Sequence, residues 1–324
     1  MAEISPAARE LISKYLLWQK SLKPKEDVRV LHVDEVASKV AAFYEQIRTI
    51  IDWKEEHLMR RASIIRNLKR RFIDLEMSNF SSENMAEPLV LELIRGGYFP
   101  NDKIEESKIA DAQNIIDKYV FVIKNNPEVK KGRAGLQFYN RILEIAACEI
   151  EETLAPSIKE MALIDFMFKS MKEQIRLNEK SFRNYQITPE EMHIQIYIAV
   201  QRSLFKLDAP IISYNLLKYK YPFWEKPTKD DLDKISRNIY KILKLTEKDL
   251  THRLSKKIYA ICEKYDTPYL LFGDVLAEDP EKNADQVKDP KTLESLIKKA
   301  YTIRLKDLRA KVSRAAIYST LSIF

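Results

Sequence analysis

"TPEEMHIQIYIAVQRSLF", Thr188 to Phe205, is the stretch whose reading decides the fold. A threonine followed three residues later by glutamate is a capping box. The hydroxyl accepts from the third amide of a helix, and the carboxylate reaches back to the amide of the capping threonine itself. Pro189 stands at the first helical position, where its missing N–H costs nothing and its fixed φ suits the turn. The spacing predicts a helix that lasts to about Phe205.

The same punctuation recurs along the chain. Ser5-Pro6 opens a run with apolar Ile12, Tyr15, Leu16 and Trp18, and Pro24 closes it. From Asp34, the residues Val36, Val40, Phe43, Ile47 and Ile50 recur at steps of three and four, and Leu58, Ile65, Leu68, Phe72 and Leu75 continue the stripe. Its slow drift fits a helix packed in a domain better than a coiled coil. Gly96-Gly97 reads as a left-handed helix end, with Pro88 in the first turn of the helix before it. Asp208, Thr228, Thr267 and Asp289 read as N-caps, with Pro210, Pro268 and Pro290 close behind three of them. No period-two run and no Asn-Gly or Asp-Gly turn appears.

Composition agrees. Five glycines in 324 residues is far below the usual share of about 7 %. Hairpins and phosphate-cradling loops need glycine for positive φ, so β-sandwich, Rossmann and P-loop folds are disfavoured together. With 45 % hydrophobic and 32 % charged residues the chain is globular. The expected fold is all-α: a multi-helix array of roughly ten helices, some long, without a sheet. Residues 1–285 form a soluble helical region, with a subdivision expected near 184–188. Residues 286–324 form a basic amphipathic helix that runs into an uncharged apolar end.

Motifs for chemistry are scarce. Cys148 and Cys262 sit inside helical patterns without close partners, as reduced core thiols do. Glu190-x-x-His193 is one element of a di-metal site, but the nearest second match is Asp249-x-x-His252, and Glu190 and Glu191 already belong to a helix start. Glu144, Glu149, Glu151 and Glu152 cluster in "EIAACEIEETLA"; they read as an exposed acidic helix face rather than an acid–base pair. His32, His57, His193 and His252 lie near no nucleophile elbow or metalloprotease helix. No cofactor or metal is expected. An enzyme with an unrecognised helical active site remains as a second alternative; it requires a histidine meeting acids in a concave pocket.

The net charge of +7 is unevenly placed. "MRRASIIRNLKRRF" holds Arg60, Arg61, Arg66, Lys69, Arg70 and Arg71 without an acid, and "YNLLKYKYPFWEKP" interleaves Tyr219, Tyr221 and Trp224 with lysines. Basic charge with aromatic planes is how single strands are held, so a nucleic-acid-binding helical protein is the first alternative. The plainer readings are a solvated basic face and aromatic plugs between helices.

The end of the chain carries the leading reading. Leu293, Leu296, Ile297, Ala300, Tyr301, Leu305, Leu308 and Val312 form an apolar stripe. Around it stand Lys298, Lys299, Arg304, Lys306, Arg309, Lys311 and Arg314 against Asp307, and Ala315 to Phe324 carry no charge. Basic residues followed by uncharged ones are the layout on the cytoplasmic side of a membrane helix. The expectation is a non-enzymatic, intracellular interaction or scaffold module: the cytoplasmic part of a membrane-tethered protein, cut short at the start of a transmembrane helix that opens with Ala315–Phe324. The start "MAEISPAARE" has no signal-peptide layout. The expected contact is an anionic membrane surface, with a protein partner whose identity the residues do not give.

Overall fold

Twelve helices are present among the described residues of the computed structural model, which cover 4–22, 28–33, 53–72, 81–126, 132–176, 185 and 187–321. They are α1 (Pro6–Ser21), α2 (Trp53–Arg71), α3 (Ala86–Arg95), α4 (Ser107–Lys124), α5 (Gly132–Leu154), α6 (Ile158–Gln174), α7 (Pro189–Phe205), α8 (Ala209–Lys220), α9 (Lys229–Leu250), α10 (Ser255–Glu278), α11 (Pro280–Gln286) and α12 (Pro290–Leu321). Apart from an isolated bridge between Val30 and Glu105, the described residues form no β-structure. The array is all-α.

Local chemistry sets most boundaries. Thr188 and Glu191 exchange both capping-box bonds, and α7 ends where Lys206 turns left-handed. Thr228 and Asp231 build a second box at α9. Ser5, Asp208 and Asp289 accept from the first-turn amides of α1, α8 and α12. After α3, Gly97 takes φ 71°. Its amide bonds Ile94 O and the Tyr98 amide bonds Leu93 O, the paired bonds of a Schellman end. Thr267 differs from the sequence reading: α10 runs straight through Thr267-Pro268. An interior proline costs about 3 kcal/mol. Here the helix beyond it buries Leu271, Val275 and Leu276, which offsets that cost. The first part of the long Asp34–Asn79 segment and its last residues lie outside the described residues, as do 127–131, which precede α5.

The chain divides into two units. One contains α1, α6, α10, α11 and α12; the other contains α2–α5 and α7–α9. The chain crosses between them at 157/158, 187/188 and 255/256, besides the segment after α1. In the first unit α1 packs on α6 and α11. Gly273 of α10 lets backbone approach closely, since a Cβ there would stand 2.9 Å from Tyr15 Oη and 3.0 Å from Leu163.

In the second unit α5 is the central helix, with α2, α4 and α8 packed on it. Apolar Phe138, Ile142, Leu143, Ile145, Ala146 and Ile150 are buried, and so are Glu149 and Glu151, at 2 % and 1 % exposure. Glu149 and Glu151 are therefore core, not the solvated face the sequence suggests, while Glu144 and Glu152 are half-buried. A helix covered on several sides has no free face for these acids, and they meet cations of neighbouring helices instead.

Candidate functional site

Helix α12 is the most exposed long element of its unit. The tyrosine, two leucines and valine at 301, 305, 308 and 312 are spaced i, i+4, i+7 and i+11, so they share a stripe only about 60° wide at 3.6 residues per turn. Three of the four stand in solvent, with Tyr301 53 %, Leu308 57 % and Val312 61 % exposed, while Leu305 is half-buried. Lys298 and Arg309 flank it on one side, Arg304 and Lys311 on the other.

Two exposed ion pairs join this helix to α10. Lys299 pairs with Glu278 at 2.5 Å and Arg304 with Asp274 at 2.6 Å. Both partners lie on α10. Lys298 pairs with Glu294 within α12 at 2.6 Å. Lys306, Arg309 and Lys311 are exposed; the Arg314 side chain lies outside the described ones. Among the described residues, no helix is long and apolar enough to cross a membrane.

The second basic cluster is divided by the fold. Arg60 and Arg61 turn into the core at 8 % and 6 % exposure. Arg61 holds Asp208 through two parallel bonds of 2.8 and 2.9 Å, with Cys148 Sγ at 3.6 Å. Arg60 bonds Glu56 and the Tyr98 carbonyl and covers the Phe99 ring. Arg66 and Arg70 are exposed, the first on Tyr98 Oη, the second on Glu92 and Asn67. Arg71 also bonds Asn67, at 2.8 Å, and Lys69 is exposed.

The aromatic segment is divided in the same way. Trp224 is 2 % exposed, and its indole N–H donates to Tyr119 Oη. Tyr221 packs on it, with ring centroids 6.2 Å apart. Tyr219 is 44 % exposed and stacks on Tyr197. The base-stacking alternative thus keeps only part of its side chains at the surface.

Below that surface lies a polar core which the sequence did not reveal. Lys118 of α4 bonds Glu149 of α5 and, at 2.9 Å, the Trp224 carbonyl; Tyr119 donates to the other Glu149 oxygen at 2.7 Å. Burial pushes the Glu149 carboxyl up and the Lys118 ammonium down, while each charge partly restores the other. Two residues further on, Glu151 faces His57 Nδ1 and stands 3.7 Å from Arg61. Burial pushes the Cys148 thiol up to about 12, so it is a protonated core residue.

His57 beside Glu151 is a histidine meeting an acid, the pairing the enzyme alternative asks for. Both are buried, at 6 % and 1 % exposure, and the pair ties α2 to α5. Among the described residues no group of three metal-ligating side chains is found. Comparison with protein families, with curated proteins and with solved structures gives no match to this chain.

Proposed function

We propose that the chain is a non-enzymatic helical interaction module of the cell interior that attaches to an anionic membrane surface through α12. One observation carries this reading. The fold leaves Tyr301, Leu308 and Val312 in solvent, with basic residues on both flanks.

A helix of that design lies in the plane of the interface, with its apolar side chains sunk about 5–10 Å below the headgroups. Each Leu or Val moved out of water contributes about 1.5–3 kcal/mol. Each lysine or arginine near an anionic surface adds about 1 kcal/mol, and salt screens that part. The two terms together favour a charged lipid surface over a neutral one.

Flotation with phosphatidylserine-containing and pure phosphatidylcholine vesicles tests the reading. The expected result is binding to the first, weak binding to the second, and release by salt. Replacing Arg309 and Lys311 by alanine should weaken it by about 2 kcal/mol, roughly thirtyfold. Leu308→Glu with Val312→Glu should abolish it. Equal binding to both vesicles, or none to either, rejects the proposal.

A further inference from the structure

A cleft of about 560 Å³ opens between α2 and α3 in the second unit, within the size range of small-molecule sites. Arg66, Arg70 and Arg95 line it together with Asn67, Tyr98 and Glu92. Three arginines therefore line one space. Glu92 is the carboxylate that offsets them, and Arg70 and Arg71 already share it. The cleft keeps a surplus of positive charge.

Hydrogen bonds hold Arg66 and Arg70 in place. Asn67 is 5 % exposed, and its Oδ1 accepts from both Arg70 and Arg71, at 3.0 and 2.8 Å. Its Nδ2 donates to Ser63 O one turn back, which fixes the amide. Arg66 donates to Tyr98 Oη at 2.9 Å. The Tyr98 ring in turn lies over Gly96, where a Cβ would come within 2.8 Å of it. The last carbonyls of α3 would oppose an anion if left bare, but the amides of Gly96, Gly97 and Tyr98 take up Glu92 O, Ile94 O and Leu93 O.

We infer that this cleft binds the phosphoryl group of a small soluble organic phosphate. A carboxylate occupies one arginine fork, whereas a dianion with three terminal oxygens can engage three. A polyanion is disfavoured by what lies next along α2. Arg60 and Arg61, which would prolong the basic track towards the start of α2, are turned into the core.

Calorimetric titration of the full chain with pyrophosphate, with sulfate and with a single-stranded oligonucleotide, at fixed ionic strength, tests this. Pyrophosphate should bind and raise the melting temperature. Arg66→Met and Arg95→Met, both at exposed positions, should each weaken binding by about tenfold or more and leave the unliganded melting temperature unchanged. Gly96→Ala alters no charge but displaces the Tyr98 ring, and it should weaken binding as well. Absence of pyrophosphate binding overturns the inference, as does equal affinity in Arg95→Met. Binding of the oligonucleotide without pyrophosphate overturns it in favour of a nucleic-acid surface.

Discussion

Two lysine–glutamate pairs, one in each unit, show opposite uses of charge. In the first unit Lys169 of α6 pairs with Glu10 of α1 at 2.5 Å, with the side chains 44 % and 51 % exposed. In the second, Lys118 pairs with Glu149 at 7 % and 3 %. The bond with Lys169 holds the Glu10 carboxyl below its ordinary value, while burial pushes Glu149 above it. The same two residue types thus give pH dependences of opposite sign. Water makes the difference. The exposed pair keeps its hydration and adds a modest attraction. The buried pair loses hydration on both partners and stands only because each satisfies the other.

The largest expected effect comes from breaking the buried pair. Lys118→Met leaves Glu149 with Tyr119 as its remaining hydrogen-bond donor and should cost about 3–5 kcal/mol in chemical denaturation. Adding Glu149→Gln should recover most of that loss, since a neutral pair of similar volume needs no desolvated charge. The sign of the pH effect follows from the raised carboxyl value. The folded chain keeps the Glu149 proton above pH 4.5, where the unfolded chain has lost it, so the contribution of this group declines as pH rises through its folded value. A double variant no more stable than Lys118→Met would mean that charge itself, rather than satisfied burial, holds α4 to α5.

The first unit depends instead on close approach, so its sensitive position is a glycine. Gly273→Ala places a methyl group 2.9 Å from Tyr15 Oη and 3.0 Å from Leu163. Overpacking of this kind costs about 1–3 kcal/mol. Tyr15→Phe in the same background removes the nearest atom and should restore part of the loss. If Gly273→Ala leaves stability unchanged, α10 is not packed closely against α1 and α6, and the contrast between the units fails.

These contrasts were unequally legible in the sequence. The starts of α1, α7, α8, α9 and α12 are local events, and Ser5, Thr188, Asp208, Thr228 and Asp289 disclose them because the cap and the capped amide are neighbours in the chain. The stripe of α12 was legible for the same reason, since its residues are one or two turns apart. The α5 acids were not. Lys118, His57 and Arg61 neutralise them from 31 to 94 positions away along the chain, and no window on α5 contains that information. Arg66 and Arg70 could be singled out as basic, but Arg95 and Tyr98 join them only because α3 packs beside α2. Thr267-Pro268 misled in the other direction: the pattern is a start signal, and burial beyond the proline carries the helix through it.

The exposed pair supplies the smallest effect. Glu10→Gln removes the attraction to Lys169, and at neutral pH it should cost at most about 1 kcal/mol, less in high salt. The lowered value of Glu10 sets the sign. The unfolded chain takes up this proton near pH 4.5, while the folded chain resists until the pH has fallen further. The contribution is therefore complete above 4.5 and disappears as pH falls through the folded value. Melting temperatures of the native chain and of Glu10→Gln, measured side by side, should differ slightly at neutral pH and converge on acidification. A gap that widened on acidification instead would place Glu10 with Glu149, as a carboxyl better off neutral, and the distinction between the two pairs would disappear.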